Sequence, residues 1–338
     1  MKESALEIIT CPHCQGQLVI ADAQNGSCDE IENGALKCES CPAIFPIRNY
    51  IPRFVGSEHY TVSFGFQWNI HARTQVDKFN GTSISRDRFF SETKWQPQEL
   101  EGKMILEVGC GSGRFTQIML DAGATCFSVD YSNAVDACWA NNAPHPKLHL
   151  FQSDMFHLPF KKDAFDKITC FGVLQHTPLP RKAFLGLVPY LKHGGEIAVD
   201  VYGAPISYLH PRHLLRFFTT GMRPVPLYRL LQRIVSRLLP LSVLLRRIPL
   251  AGILLSRGIP VPNYKGVLPL NEKALVEWAI LDTFDWLATR YDRPQTLANF
   301  KEWFTTAGLK NTSFRRSRAL YIGNGLKTTG KEGYKGCA

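Results

Sequence analysis

Apolar residues between positions 104 and 201 follow two alternating patterns. Short continuous apolar runs, as buried strands require, lie at 104–108, 125–129, 148–152, 165–171 and 196–201. Segments with apolar residues at helical spacing separate several of these runs, at 115–122, at 133–141 and ahead of 191. Strands that alternate with helices predict a parallel sheet covered by helices. The pattern therefore indicates an α/β domain.

The chain after residue 270 continues with helical signals and then with a hairpin signal. Asn271 precedes apolar residues at helical spacing through 283, and a shorter helix is predicted at 301–307 before Gly308. Two runs at 312–317 and 319–323, separated by a short turn, predict a hairpin. The segment 204–266, which lies between the fifth predicted strand and these elements, is therefore an insertion.

Two Cys-x-x-Cys pairs near the N-terminus predict a structural zinc site. Cys11 pairs with Cys14 and Cys38 with Cys41, and 23 residues separate Cys14 from Cys38. Four thiolates complete the tetrahedral shell of Zn²⁺ and leave no open position, which marks a structural site. A redox pair or an iron–sulfur site fits less well, because no βαβ pattern surrounds the two pairs. A module this small lacks a core, so the metal supplies much of its stability.

The residues around the second cysteine pair carry a family resemblance. With both pairs, the sequence GALKCESCPAIFPIRNYIPRF makes residues 1–54 similar to the Trm112-like zinc-ribbon domain. In that family the ribbon is fused to, or partners, a methyltransferase that uses S-adenosylmethionine (SAM). Two roles stay open for residues 1–54. We expect a scaffold packed on the catalytic domain, and the other role is a platform for substrate or partner.

A glycine-rich turn follows the first predicted strand of the α/β domain. Residues 105–116, ILEVGCGSGRFT, contain the pattern acidic-x-Gly-x-Gly-x-Gly beginning at Glu107. A dinucleotide fingerprint requires glycine where Arg114 stands, so this ligand is disfavoured. The pattern resembles motif I of the class I SAM-dependent methyltransferases, whose glycine turn lies against the methionine part of the cofactor. The resemblance covers about 99–203 and again 271–325, within a domain at 99–325.

The resemblance to class I methyltransferases implies a fold and a cofactor site. The implied fold is a Rossmann-like, mostly parallel sheet of seven strands with an antiparallel last strand, here with a helical insert after strand 5. Asp130, 23 positions beyond Glu107, is implied to accept the ribose hydroxyls, and Asp154 to read the adenine amine. The implied SAM-binding residues are Glu107, Gly109, Cys110, Gly111, Gly113, Asp130, Tyr131, Asp154, Met155, Phe171 and Gln175.

Methyl transfer requires an aligned acceptor and, for some acceptors, a group that removes a proton. The resemblance places such a group at the end of the fourth strand, at 173–178, where His176 is the candidate base. In similar enzymes a histidine here also serves only to order the cofactor pocket, and both roles stay open. The Asn-Pro-Pro-Tyr-type loop used on planar amino nitrogens is absent, which disfavours such acceptors.

Two aromatic-rich segments are candidate walls of the site. The connector 55–98 is implied to form helices that close over the cofactor, and 282–294 resembles the C-terminal pattern of small-molecule methyltransferases. Ordinary core packing explains the same residues. The candidates for cofactor or acceptor contact are Gln67, Trp68, Arg86, Arg88, Asp285, Trp286 and Tyr291.

Positive charge is concentrated in the insertion 204–266. Net charge is +10, and no Asp or Glu occurs between Asp200 and Glu272, whereas ten Arg and Lys residues do. The segment 226–239 predicts an amphipathic helix with Arg229, Arg233 and Arg237 along one face. Three roles stay open: a lid over the active site, a helix lying on an anionic membrane, and an RNA-binding surface.

We therefore predict a SAM-dependent methyltransferase with a structural Zn²⁺, acting on a small-molecule or lipid-linked acceptor. The alternatives are an RNA (rRNA or tRNA) methyltransferase that uses ribbon and insert as a platform, and a SAM-binding protein without catalysis. No apolar leader begins the sequence and no apolar run reaches bilayer-spanning length, so we expect a cytoplasmic protein, with optional peripheral membrane contact through 204–266. Residues 326–338 are expected to be a disordered tail. The sequence does not indicate an oligomeric state.

Overall fold

The computed structural model describes residues 1–26, 30–56, 60–204, 212–248, 252, 256 and 258–328. The first four strands form an antiparallel sheet in the order β1-β2-β3-β4. Cys38, the first residue of the second cysteine pair, ends β2. A small N-terminal sheet with the cysteine pairs is therefore confirmed. Its strands are β1 (Leu18–Asn25), β2 (Ile31–Cys38), β3 (Ile44–Arg48) and β4 (Ile51–Pro52).

The remaining described strands form a sheet of seven in the order β10-β11-β9-β8-β5-β6-β7. Strands β5 to β9 pair in parallel, and β11 runs antiparallel to both β9 and β10. The predicted class I methyltransferase sheet, with its antiparallel last strand, is confirmed. The strands are β5 (Met104–Val108), β6 (Thr125–Asp130), β7 (Leu148–Gln152), β8 (Phe165–Cys170), β9 (Leu191–Tyr202), β10 (Lys310–Ser317) and β11 (Leu320–Leu326).

Helices cover the seven-stranded sheet, because its central strands are apolar on both sides. Ile105, Leu106 and Val108 of β5 are all buried, as strands of a parallel sheet require. Phe115 and Ile118 of the following helix pack with Ile105 in one apolar cluster. Four helices of this domain, numbered in chain order, are α4 (Arg114–Asp121), α5 (Ala134–Asn142), α6 (Pro180–Leu187) and α10 (Leu297–Thr306).

The ribbon covers the edge of the large sheet at β7. The Phe54 N–H donates to Gln152 O at 2.8 Å, and Arg53 Nη1 donates to Gln152 Oε1 at 2.9 Å. Tyr50 stacks on Trp139 of α5 with ring centroids 4.8 Å apart. An open strand edge is a template for pairing with another chain, so the ribbon protects this edge. The ribbon therefore packs on the α/β domain along this edge.

The connector and the insertion supply helices that stand at the carboxyl ends of the parallel strands. In the connector these are α1 (Val62–Ile70), α2 (Asp77–Asn80) and α3 (Ile84–Thr93). In the insertion they are α7 (Arg212–Thr219) and α8 (Pro224–Leu245), both packed against α9 (Glu272–Ala288). Among the helices of the described residues, none combines the length and the apolar composition that crossing a bilayer requires.

The structure moves several predicted boundaries. Strand β9 begins at Leu191 and not at 196, so Gly194 and Gly195 lie inside the strand, next to a register shift against β8. Helix α9 continues to Ala288, beyond the predicted end at 283, because its second half is buried. The tail expected to be disordered from 326 is ordered through Lys327, whose Nζ donates to Leu191 O at 2.7 Å. Residues 329–338 lie outside the described residues.

Candidate functional site

A cavity of about 390 Å³ opens at the carboxyl ends of β5 and β8. The strand order reverses between these two neighbours, since β6 and β7 continue on one side and β9 on the other. In open α/β sheets, ligands bind in the crevice at such a switch point. The volume falls in the range of about 300–1,000 Å³ that is typical of small-molecule sites. The cavity is therefore the candidate active site.

The glycine turn after β5 forms one wall of the cavity. Gly109 has φ 82°, and a Cβ built there would lie 2.1 Å from Cγ2 of Val173, in the loop after β8. Both the Gly109 and the Cys110 N–H groups donate to Val129 O, at 2.8 and 3.0 Å. Only glycine satisfies this positive φ and this close approach together. The turn is consequently held against the neighbouring loops and presents bare backbone to the cavity.

Two acidic residues line the same end of the cavity. Asp130 Oδ2 accepts the Gly111 N–H at 3.0 Å, and Asp130 Oδ1 accepts the Ser132 N–H at 2.8 Å. Asp154 Oδ1 accepts the Phe156 N–H at 3.0 Å. These bonds fix the two carboxylates in place at the wall of the cavity. The end of β6 and the loop after β7 thus offer a pair of oriented acceptors, as a ribose and an adenine amine would need.

Most of the predicted SAM-binding residues lie on the cavity wall. Three of them, Glu107, Gly113 and Gln175, do not line the cavity. Gly113 is needed for packing, because a Cβ there would meet Asn142 and the Cys138 sulfur at 2.2 and 2.6 Å. The lining residues from the predicted set are Gly109, Cys110, Gly111, Asp130, Tyr131, Asp154, Met155 and Phe171.

Glu107 lies beneath the glycine turn rather than on the cavity surface. Its Oε2 accepts the hydroxyls of Thr116 at 2.5 Å and Ser128 at 2.8 Å, and its Oε1 is buried without a hydrogen-bond partner. Burial raises the pKa of Glu107 to about 7, and the two hydroxyls lower it in part. The carboxyl group joins β5 to α4 and β6. Gln175 is also fully buried, and neither atom of its side-chain amide has a partner in the described structure.

His176, the candidate base, lines the cavity between two aromatic rings. Its ring lies 5.3 Å from that of Phe64 and 5.4 Å from that of Tyr202. Its Nδ1 lies 2.9 Å from the backbone oxygen of Tyr291. Since a carbonyl oxygen can only accept, Nδ1 carries the proton in this contact, and Nε2 of the neutral ring keeps its lone pair. The geometry is compatible with a proton acceptor and equally with a residue that orders the pocket.

The far half of the cavity is lined by aromatic and acidic residues of β9, the insertion and α9. Tyr264 donates its hydroxyl to Asp282. Enclosure in the wall raises the pKa of Asp282 to about 7, and it also raises the pKa of Asp285. Sequence reasoning included Asp285 and Trp286 but missed this pair, because Tyr264 and Asp282 belong to different elements. The lining residues of this half include Tyr202, Tyr264, Trp278, Asp282, Asp285 and Trp286.

The connector closes the cavity from above, as expected. Gln67 and Trp68 of α1 and Arg88 of α3 line it, whereas Arg86 is exposed and does not. A Cβ on Gly111 would lie 3.3 Å from the Trp68 indole, so this ring rests directly over the glycine turn. Arg88 Nη2 donates to Asp200 Oδ2 at 2.7 Å. Tyr291 contributes its backbone to His176 rather than its side chain to the cavity wall.

The four cysteines of the ribbon come together at a separate site. All four sulfurs lie within 4.8 Å of one another, with Cys11 to Cys41 at 3.7 Å and Cys14 to Cys38 at 3.5 Å. Zn–S bonds of about 2.3 Å place tetrahedral sulfurs about 3.8 Å apart, and a disulfide would require about 2.05 Å. None of the four lines the cavity. The cluster fits a structural Zn²⁺.

Comparison with protein families assigns both parts of the chain. Residues 106–199 match the family described as "Methyltransferase domain", and residues 2–49 match the family described as "Trm112p-like protein". The first match spans the glycine turn, Asp130, Asp154 and His176. The glycine turn, the two oriented acids and the Trp68 ring fit SAM, which the methyltransferase fold implies as the cofactor.

Two curated relatives match part of the chain. The ubiquinone biosynthesis O-methyltransferase of Coxiella burnetii (strain Dugway 5J108-111) is 33% identical over 101 residues, 29% of this chain and 43% of that protein. The tRNA U34 carboxymethyltransferase of Azotobacter vinelandii (strain DJ / ATCC BAA-1303) is 35% identical over 119 residues, 32% and 37% of the two chains. The chain thus spans less than half the length of these relatives.

Among solved structures, an O-methyltransferase family protein from Burkholderia thailandensis aligns with a TM-score of 0.45 and 11% identity. The alignment covers 80% of this chain and 64% of that one. The strand order β10-β11-β9-β8-β5-β6-β7 itself identifies the sheet as that of a class I methyltransferase.

Proposed function

We propose that this chain, which joins a Trm112-like ribbon to a class I methyltransferase domain, transfers a methyl group from SAM to a small or lipid-linked acceptor. The observation that carries the proposal is the cavity at the switch point of the sheet. One end of it offers bare glycine backbone and two oriented acids. The other end, lined by aromatic rings and by Asp282 and Asp285, is left for a second molecule.

In this proposal the cofactor lies along the glycine turn. Asp130 accepts the ribose hydroxyls, because its carboxylate is held at the end of β6 by the Gly111 and Ser132 N–H groups. Asp154 accepts from the adenine amine, and Tyr131 and Met155 contact the base. Trp68, directly over Gly111, closes the methionine end. When bound there, SAM supplies an activated methyl group.

The acceptor then occupies the half of the cavity formed by β9, the insertion and α9. Aromatic rings of Tyr202, Trp278 and Trp286 suit an acceptor with a flat or apolar surface. Such a half-cavity favours a small or lipid-linked molecule over a nucleotide within a folded RNA. Among the described residues of the insertion, Tyr264 lines the wall, and α7 and α8 pack against α9, which supports the role of a lid.

Proton removal from the acceptor falls to His176 in this proposal. Its Nδ1 is engaged by Tyr291 O, which leaves Nε2 as the acceptor atom. His176→Asn retains an N–H that can meet the carbonyl and removes the acceptor. We expect kcat to fall by about 100-fold or more while SAM affinity changes little. An equal loss of SAM affinity would assign His176 to pocket ordering instead.

The cofactor site is tested by calorimetric titration of SAM into the full-length protein. Asp130→Asn should weaken binding by about tenfold or more, because a charged acceptor is lost where hydroxyls bind. Asp121→Asn, at an exposed position on α4, is the matched control. Undiminished SAM binding by Asp130→Asn would show that the proposed ribose site is wrong.

The acceptor class is tested with SAM labelled in its methyl group. Full-length protein is incubated with separated RNA, lipid and metabolite fractions, and label is counted in each. Transfer to lipids or metabolites supports the proposal. Transfer confined to RNA would favour the RNA methyltransferase alternative, which the exposed arginines of α8 and the name of the tRNA-modifying relative motivate. No transfer in any fraction would favour a SAM-binding protein without catalysis.

Thiolate ligation of zinc and free buried thiols require a reducing environment, so we assign the protein to the cytoplasm. Fractionation of cells into soluble and membrane pools, with and without high salt, checks this assignment.

A further inference from the structure

Helix α7 packs with an inverted orientation. Its polar residues Arg212, His213, Arg216 and Thr219 form the side that faces the protein. Its apolar residues occupy the opposite side and are exposed. An amphipathic surface helix normally turns its apolar stripe to the core. The exposed apolar residues are Leu214, Leu215, Phe217 and Phe218.

Strong polar contacts hold α7 in this orientation. Arg216 donates through Nη1 to Trp286 O and through Nη2 to Thr289 O, both at 2.7 Å. Thr219 Oγ1 donates to Leu287 O at 2.8 Å. These carbonyls lie at the C-terminal end of α9, where a cation is favourable. The polar side of α7 is thus committed to capping α9, and the apolar side is left outside.

The outward side of α7 is an unusually apolar surface. Leu214 is 70% exposed, Phe217 83% and Phe218 80%. Met222 and Val225, in the turn and the first residues of α8, extend the exposed apolar group. Single exposed apolar residues need no explanation, but a contiguous group marks an interaction surface.

The charge around this surface specifies the partner. Arg223, at the start of α8, and Arg229, Arg233 and Arg237 along it are exposed. Both α7 and α8 rest on α9, so the outer sides of both helices are turned away from it. No acidic residue occurs from 201 to 271 to oppose these charges. Exposed apolar side chains on α7, followed along the chain by exposed arginines in a segment without acidic residues, match the interface of a bilayer that contains anionic lipid.

We propose that the outward face of α7, formed by Leu214, Phe217 and Phe218, inserts into the surface of an anionic membrane. The arginines of α8 then lie toward the lipid headgroups. The membrane contact expected of the insertion 204–266 thus lies on α7 in this proposal, and not on the longer helix α8. The apolar face of α8 is unavailable, because Leu227, Leu231 and Val235 are buried against α9.

The inner side of α7, opposite the face proposed to insert, adjoins the far half of the cavity. The Arg212 guanidinium, on the inner side of α7, lies 5.5 Å from the Tyr202 ring and 5.3 Å from the Trp286 ring, and both rings line the cavity. Given the acceptor site proposed above, a lipid-soluble acceptor would reach it from the bilayer. The membrane contact itself does not depend on that site.

The test is flotation of the full-length protein, without SAM, on phosphatidylcholine vesicles that contain phosphatidylglycerol. Phe217→Ser with Phe218→Ser should lower vesicle affinity by about tenfold or more, since two apolar rings lose their burial. Ile44→Ser, at an exposed apolar position of the ribbon, is the matched control and should bind like the wild type. Replacing Arg229, Arg233 and Arg237 by Gln should weaken binding and reduce its salt dependence.

Several outcomes would overturn the proposal. One is unchanged flotation of the Phe217→Ser, Phe218→Ser variant. A second is a wild-type protein that does not bind the vesicles but forms a dimer, while the variant is monomeric. The face would then be an interface with a second copy of the chain. A third is salt-sensitive RNA retention, lost in the same variant, without vesicle binding. Wild-type SAM affinity of the variant would show that it is folded. Absence of methyl transfer by the wild type would contradict the proposed function but not the proposed membrane contact, which is measured without SAM.

Discussion

Replacing Glu107 by Gln should change how the stability of the protein depends on pH. Glu107 is buried, and burial raises its pKa from 4.5 to about 7. An acid whose pKa is raised on folding binds more protons in the native state than in the unfolded state. Stability from this group is therefore present at low pH and is lost as pH rises through the window from 4.5 to about 7.

The magnitude follows from the size of the shift. Each pKa unit corresponds to about 1.4 kcal/mol, so the full cost of ionising Glu107 in the native state is about 3 kcal/mol. About 2 kcal/mol of this cost falls between pH 5 and pH 8. Glutamine keeps an oxygen for Thr116 and Ser128 and does not ionise. The stability of Glu107→Gln relative to the wild type should consequently rise by about 2 kcal/mol across that interval.

The assay is urea unfolding followed by tryptophan fluorescence at pH 5 and pH 8. The informative quantity is how the difference in unfolding free energy between Glu107→Gln and the wild type changes from pH 5 to pH 8. The new amide N–H adds a cost that is the same at both pH values and therefore cancels. Glu101→Gln, at an exposed position before β5, is the control. Parallel pH profiles for wild type and Glu107→Gln would refute the reasoning and show that Glu107 is ionised in the folded protein near pH 5.

Two further predictions concern the metal and the glycine turn. The purified protein should contain zinc by plasma mass spectrometry. Cys38→Ser should lose this zinc and unfold the ribbon, whereas Cys126→Ser, a buried thiol of β6, should retain it. Gly109→Ala should lower the free energy of unfolding by about 1–3 kcal/mol and weaken SAM binding, because of the positive φ and the Val173 contact. Adding Val173→Ala should restore part of the loss, and Gly186→Ala on α6, where a Cβ meets nothing, should not destabilise.

The sequence predicted those parts of the site that short segments specify. Cys11 with Cys14, and Cys38 with Cys41, are each adjacent on one turn, so their spacing alone indicates a shared metal. The order of strands follows from alternating apolar periods, and Asp130 and Asp154 follow strands that end at the same edge of a parallel sheet. Each inference needs only local geometry and the rule that the carboxyl ends of parallel strands lie at the same edge of the sheet.

Assignments that depend on which way a side chain points were less successful. Glu107 and Gly113 belong to the glycine motif, yet one faces the strand–helix junction and the other the Asn142 and Cys138 side chains. The pattern of the motif is the same whichever of its members touches the ligand. Packing of α4 and α5 beneath the turn decides which of them remain exposed to the cavity.

Contacts between segments that are distant along the chain could not be predicted from the sequence. His176 is oriented by Tyr291, and Asp282 by Tyr264, across loops of no fixed length. The periodicity of 226–239 indicated an amphipathic helix but not which side would be covered, and α9 covers it. The short helix α7 turns its apolar side outward, because Arg216 and Thr219 on its other side bind carbonyl groups at the C-terminal end of α9. Local patterns thus determined the elements, the metal ligands and the glycine turn. The tertiary structure alone decided which faces are exposed, because burial is set by whichever partner packs against a face.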